Sequence, residues 1–376
     1  MSNVSIFHIP AFYFYGNKIK DMKKQFVVIG LCIIVAIFSC NRSGTKETKQ
    51  TDVTITPAED SLLITARNYF KPLPAIADNK ENVVTVPKVK LGKLLYYDTR
   101  LSRTGNNSCN SCHNLANYGV DNKANSTGDA GKQGKRNSPT VFNAALHNMQ
   151  FWDGRAKDVE EQAGMPILNS VEMAIPHKGF LVEKLKGIQP YPEMFKAAFP
   201  GEDKPLTYEN LQKAIAAFER TLLTPSRFDK YMEGDANAIT AEEKAGLKVF
   251  IESGCTSCHN GVGIGGGTMQ KFGVVTDYRT LTKSTVNDEG RKSVTKIKGD
   301  KDVFKVPGLR NAQGTFPYFH DGSIANLDST VVIMGKSQLN KTLSAEEVKQ
   351  IVAFLNSLSG DINPDAKTIP AELVKK

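Results

Sequence analysis

Two pentapeptides carry the most specific chemistry in the chain: Cys109-Asn-Ser-Cys112-His113 and Cys255-Thr-Ser-Cys258-His259. Two thiols at this spacing can add to the two vinyl groups of one haem. The next residue then turns its imidazole onto the iron, and Cys-x-x-Cys-His is the attachment signature of c-type haem. A redox dithiol or half of a zinc site uses the same cysteine spacing, but a dithiol does not need the histidine. The chain has six Cys. Cys32 and Cys40 fall in the N-terminal segment, and the two motifs use the other four with none left over. The sequence therefore predicts two covalent haems c, attached through Cys109, Cys112, Cys255 and Cys258. His113 and His259 are the expected proximal iron ligands. Covalent haem attachment takes place outside the bacterial cytoplasm.

The N-terminus agrees with that compartment. Lys23-Lys24 is a positive n-region, and Phe26 to Phe38 is an apolar run of signal-peptide length, too short to span a membrane comfortably. Ile37-Phe38-Ser39-Cys40 resembles a bacterial lipobox, so Cys40 is the expected lipidation site. Residues 1–40 read as a leader, and Met22 is a candidate for the true start. Residues 41–58 are polar and read as a flexible linker. The expected location is periplasmic, tethered to a bacterial membrane through the lipid alone.

Composition closes off other classes. At 376 residues, 40% apolar and 23% charged, the chain is neither a polytopic membrane protein nor disordered. Six Cys are too few for a disulfide scaffold of this length. The net charge of +9 is spread as scattered lysines rather than one basic patch, which argues against nucleic acid as a partner.

The haem motifs need elements to hold them. Leu91-Gly-Lys-Leu-Leu-Tyr-Tyr97 precedes the first motif and Gly246-Leu-Lys-Val-Phe250 the second, each as a short amphipathic helix. Thr240-Ala-Glu-Glu243 is a capping box for the latter. The chain thus reads as an internal duplication of one haem unit. Leu211, Ile215, Phe218 and Leu222 place a helix over 208–223, with Pro225 as its stop. Ser344-Ala-Glu-Glu347 caps another helix carrying Val348, Ile351, Val352, Leu355 and Leu358. No strand-rich region stands out. The expected fold is mainly α, with two cytochrome c-like haem domains in tandem. The expected boundaries are 59–230 for the N-terminal haem domain and 231–360 for the C-terminal one. A tail, 361–376, is expected to pack back on the first domain.

The sixth iron ligand separates carriers from enzymes, because an open position admits peroxide. Met334 is the candidate at the second haem and Met269 its rival. The stretch from Gly119 to Arg136, just after the first motif, holds neither His nor Met.

Further segments sharpen this reading. Arg136-Asn-Ser-Pro-Thr-Val-Phe-Asn143, Gln150-Phe-Trp-Asp-Gly-Arg155, Glu161-Gln-Ala163, Asn169-Ser-Val-Glu-Met-Ala174 and Pro317-Tyr-Phe-His-Asp-Gly322, with both haem motifs, resemble the bacterial dihaem cytochrome c peroxidases. The resemblance covers about residues 60–360. It implies that Glu172 is the distal acid–base residue at a peroxidatic first haem and Gln162 the amide beside it. It implies that Trp152 lies between the haems and carries electrons, and that Met334 is the axial ligand of a high-potential, electron-accepting haem. It places a calcium ion at Asn137, Thr315 and Pro317, two of them acting through backbone carbonyls. The reaction implied is reduction of hydrogen peroxide to water, with electrons from a small cytochrome c or cupredoxin. A homodimer is carried over from the family. One feature departs from the pattern: Asp129 stands where many members have a distal His that blocks the resting enzyme. The expectation is a peroxidase without that reductive gate, His147 being the conceivable substitute ligand. The alternatives are a dihaem enzyme that oxidises a protein substrate, by crosslinking or Trp modification, and a non-enzymatic dihaem carrier.

Overall fold

Each haem unit is built on a pair of helices that cross at a glycine. The computed structural model describes residues 60–374, so the leader, its start, Cys40 and the 41–58 linker lie outside the described residues. The helices that shape the haem lobes are α1 (Ser61–Arg67), α2 (Val86–Tyr97), α3 (Cys109–Cys112), α4 (Val159–Leu168), α5 (Tyr208–Glu219), α6 (Arg227–Glu233), α7 (Ala241–Glu252), α8 (Leu327–Leu339) and α9 (Ala345–Ser357). Among the described residues the only sheet is an antiparallel ribbon of β1 (Met269–Lys271) and β2 (Val303–Lys305), with Met269 opposite Lys305.

The duplication is visible in these crossings. A Cβ on Gly92 of α2 would come within 1.9 Å of the Ala214 carbonyl oxygen on α5. A Cβ on Gly246 of α7 would come within 1.8 Å of the Gln350 oxygen on α9. Only a hydrogen fits at either crossing, and Phe218 and Phe354 pack beside the two glycines. Both expected capping boxes are present, with Thr240 and Ser344 accepting from Glu243 N and Glu347 N.

Helix α5 ends at Glu219, four residues short of the expected 223. The strand-like segment after it is recruited by the first lobe's Asn143, whose N–H donates to Leu222 O and whose Oδ1 accepts from Thr224 N. Asn311 repeats this arrangement in the second lobe. Both asparagines are left-handed with φ of 61°, and both side-chain amides donate to Thr224 Oγ1, at 2.8 and 3.0 Å. Thr224 is therefore the point where the two units are tied.

The ends of the described chain cross over. Leu63 and Ala66 of α1, with Phe70, enter the second lobe's core beside Phe228, Phe250 and Phe354. Asp60 fixes this segment through an ion pair to Lys244. At the other end, Ile362 and Ala366 pack with Tyr96, Tyr97 and Phe218 of the first lobe, and Tyr97 Oη donates to Ala366 O. The first lobe's core is formed by Leu91, Leu94 and Leu95 against Ile167, Tyr191, Phe195, Leu211 and Ile215.

One buried acid in this frame makes stability depend on pH. Glu219 is 4% exposed, and burial pushes its carboxyl up to about 8. The folded state then holds a proton that the unfolded state has lost. Stability from this group is complete below the unfolded pKa and falls as pH rises through the folded value, by at most about 1.4 kcal/mol per unit. Glu219→Gln is expected to flatten the fall between pH 5 and 8. Thermal unfolding of the haem-loaded protein across that range is the check, and an unchanged slope refutes the assignment.

Candidate active site

The first motif begins at a capped turn. Ser108 and Ser111 close a capping box on α3, and His113 follows as its C-cap. His113 Nδ1 lies 2.9 Å from Pro139 O, and Tyr96 Oη donates to the His113 carbonyl at 2.6 Å. A Nδ1–H donated to a carbonyl leaves Nε2 free for a metal and fixes the ring plane. Desolvation lowers the His113 pKa, so the ring is in the neutral form a ligand needs.

The second motif sits in a short turn after Gly254, a left-handed glycine with φ of 88°. His259 is buried, and burial pushes it down to about 4. Its Nδ1 is turned toward the Pro307 carbonyl but closes no aligned hydrogen bond. A buried, neutral imidazole whose Nδ1 faces a carbonyl presents Nε2 as the nitrogen for iron. An apolar cavity of about 260 Å³ opens over Cys255, Cys258 and His259, with Phe250, Val331, Ile351 and Leu355 in its walls. Met334, half-buried on α8, lines the same cavity. Met269 is not among the lining residues; its sulfur packs against Gly154 beside that of Met149. Of the two methionines, the structure brings Met334 to the second motif.

The thiols argue against a dithiol oxidoreductase. Burial pushes Cys255 up to about 11 and raises Cys109 and Cys112 as well, whereas a redox-active dithiol needs a lowered thiol. Together with the apolar cavity and the free Nε2 of His113, this donor set fits covalent haem at both motifs.

Glu172 follows α4 on a turn held by Asn169. Asn169 Nδ2 donates to Glu172 Oε1 at 3.0 Å, and Glu172 N donates to Asn169 O. Burial raises the Glu172 pKa, with Arg155 and the Asn169 bond pulling it back. Glu172 is close enough to raise Cys112 in turn, which puts its carboxyl on the first haem's side. Gln162 sits on α4, half-buried, and its side-chain amide makes no hydrogen bond among the described residues.

Neither Asp129 nor the substitute ligand His147 offers an imidazole beside this carboxylate. Asp129 is 1% exposed and spends its carboxylate on Thr104, accepting from the backbone N at 3.0 Å and from the hydroxyl at 2.5 Å. Its own N–H donates to Glu172 O, so Asp129 locks the loop that carries Glu172. His147 lines the second haem's cavity instead, with its ring against Gly263, Gly266 and Gly308. Of the other histidines, His177 caps the helix Lys178–Lys186 and His320 stacks on Phe304 with ring centroids 4.1 Å apart.

Trp152 joins the lobes. Its Nε1 donates to Asn137 O at 2.9 Å, and its carbonyl accepts from Lys305 N at 2.7 Å. Its ring packs on the aromatic cluster of Phe272, Tyr278 and Phe304, against which Met334 also packs. Asn137, Thr315 and Pro317 line the same cavity. Asn137 Nδ2 donates to Lys123 O, while Asn122 Nδ2 donates to Gly314 O and Phe316 O on either side of Thr315. The Asn137 Oδ1 and the Thr315 and Pro317 carbonyls accept no hydrogen bond among the described residues. Uncommitted neutral oxygens of this kind fit a hard, oxygen-seeking cation such as calcium.

Sequence reasoning passed over Asn169, Arg155 and Lys305. The last had a signal: a lysine inside the otherwise apolar run Val303-Phe-Lys-Val-Pro307.

Comparison with known proteins agrees with this geometry. The profile described as di-haem cytochrome c peroxidase matches residues 86–237, and the cytochrome c profile matches 243–359. The cytochrome c551 peroxidase of Pseudomonas aeruginosa is 46% identical over 306 residues, covering 80% of this chain and 87% of that protein. The chain belongs to the di-haem cytochrome c peroxidase family. Within it, the cytochrome c peroxidase Ccp of Escherichia coli is 43% identical, over 74% of this chain and 59% of that one. The methylamine utilization protein MauG of Methylorubrum extorquens is more distant, at 32% identity over 80% of this chain and 86% of the relative. Among solved structures, a MauG-like protein associated with microbial copper homeostasis superposes with a TM-score of 0.70 at 27% identity, covering 80% of this chain and 97% of that one. The peroxidase family carries haem c, and the two profiles cover the two Cys-x-x-Cys-His motifs.

Proposed function

We propose that the protein reduces hydrogen peroxide to water at its first haem, without a distal-His gate, using electrons that enter at its second haem. The observation that carries this is the half-buried Glu172, held by Asn169 on the first haem's side with its pKa raised. When bound, the haems supply electron transfer and the iron site at which peroxide is cleaved. Glu172 takes the proton from the proximal peroxide oxygen and returns it to the leaving oxygen. A carboxyl with a raised pKa does both jobs better than a solvated one. Gln162, with its amide uncommitted, orients the peroxide from α4. Trp152 bridges the lobes as the electron path, its ring fixed by Asn137 and its backbone by Lys305.

The donor is a small c-type cytochrome or a cupredoxin, delivering one electron at a time. Calcium at Asn137, Thr315 and Pro317 would tie the loop under Trp152 to the second lobe. The signal-like leader and Cys40 support a periplasmic protein with a lipid anchor, and a homodimer remains part of the family expectation.

The relationship to MauG keeps oxidation of a protein substrate as the second reading. The higher identity to peroxidases over MauG proteins and the methionine in the second cavity favour peroxide reduction. The test is peroxide-dependent oxidation of a reduced small cytochrome c by the purified protein. Sustained turnover with peroxide and donor consumed one to two supports the proposal. Peroxide consumption that instead modifies a partner protein, seen by mass spectrometry, supports the second reading.

A further inference from the structure

Lys305 places an ammonium group inside the protein with no carboxylate among the described residues to meet it. The residue is 5% exposed, on β2 of the ribbon, two positions before Pro307. Its Nζ lies 3.0 Å from His147 Nδ1, its one side-chain hydrogen-bond partner among the described residues. Among the described residues, no acidic side chain offsets the desolvation it suffers. An ammonium can only donate, so His147 Nδ1 accepts and the imidazole proton sits on Nε2. The imidazole is therefore neutral and cannot balance the charge. Its ring has no freedom to leave: a Cβ at Gly266 would come within 2.1 Å of Cδ2, and one at Gly308 within 2.7 Å of Nε2. The backbone is equally fixed, since Lys305 N donates to Trp152 O and β2 pairs with β1.

Burying an unpaired charge is costly, and proteins retain one where an anion completes it. Lys305 and His147 both line the cavity that holds Cys255, Cys258, His259 and Met334. Apart from its conjugated ring, a haem brings two carboxylates into such a cavity. We propose that Lys305 is the ionic partner of a propionate of the second haem, and that His147 is a positioning residue that holds the ammonium toward it. The proposal rests on the haem reading above. It gives the pair a role beyond anchoring: a fixed positive charge beside the haem favours the reduced, less positive iron and so raises the potential of the electron-accepting site. The same lysine's backbone bond to Trp152 places this charge where electrons leave for the first haem.

The experiment is a potentiometric titration of the second haem, followed by its visible bands, in the holoprotein. Wild type, Lys305→Met and Lys305→Arg are compared after each is shown to carry two haems by its alkaline pyridine spectrum. Lys305→Met is expected to shift the reduced-to-oxidised ratio at a fixed poise about tenfold toward oxidised, which is 59 mV for a one-electron couple. Lys305→Arg is expected to keep the wild-type midpoint. If Lys305→Met does not accumulate, Lys305→Gln keeps a polar end in the buried site and gives the same readout. A Met or Gln variant with two haems and an unchanged midpoint overturns the proposal. A wild type without two haems overturns the haem reading instead, so the two failures are separable.

Discussion

Glu172→Gln is expected to lower kcat/KM for peroxide by about 10²–10⁴-fold while both haems stay attached, the range a general acid–base residue contributes. Gln matches Glu in size, so the half-buried site stays filled. What it loses is the ability to accept a proton from peroxide and give it back. The loss belongs to the peroxide step, so electron uptake by the second haem is expected to be unchanged in the same variant. The pH profile gives a second readout. Peroxide must first lose a proton, so the working form of Glu172 is the carboxylate, and wild-type kcat/KM rises as pH passes through its pKa. Burial sets that rise above the ordinary carboxylate range, while Arg155 and the bond from Asn169 limit how far. The variant loses the acidic limb altogether. Retention of activity within tenfold, with the limb intact, would move the acid–base role to another group.

How much of this could be seen in the sequence depended on whether the determinant was local. The haem motifs, the capping boxes at Thr240 and Ser344, and the two glycine-bearing helices are written in consecutive residues, and the structure repeats them. The end of α5 was not legible, because its last expected turn is taken over by Asn143, some eighty positions upstream. The crossing of α1 was not legible for the same reason: it is a short helix whose partners, Phe228 and Phe354, are remote in the chain. The site divides along the same line. Glu172 stands out by its motif, but its support is Asn169 and the Asp129 loop, whose hydrogen bonds only the fold creates. Lys305 is conspicuous as a charge in an apolar run, yet its meaning depends on His147, brought against it from the other lobe.

The fully oxidised enzyme is expected to consume peroxide from the first mixing, with no lag and no need for prior reduction. Asp129 decides this. The family resemblance puts it in the place of a distal His, and its carboxylate accepts two hydrogen bonds from Thr104. Its backbone donates to Glu172 O, and a Cβ at the neighbouring Gly128 would lie 1.8 Å from Val171 O. The loop is thus pressed onto the segment that carries the acid–base residue, and it offers no imidazole to the iron. His147 is committed to Lys305 on the far side, and His177 and His320 are engaged in a helix cap and an aromatic stack. A gate needs two stable arrangements of one segment, biased by the redox state of the second haem. In this chain the segment from Gly119 to Arg136 carries no His or Met, and Asp129 ties it to Thr104 and to Glu172 O. Electron paramagnetic resonance of the oxidised protein is therefore expected to contain a high-spin ferric signal beside a low-spin one. Stopped-flow mixing with peroxide on the same sample is expected to change the first haem's spectrum at once. Two low-spin signals, with reactivity appearing only after one-electron reduction, would mean that the loop rearranges to supply a ligand, and the constitutive reading would fail.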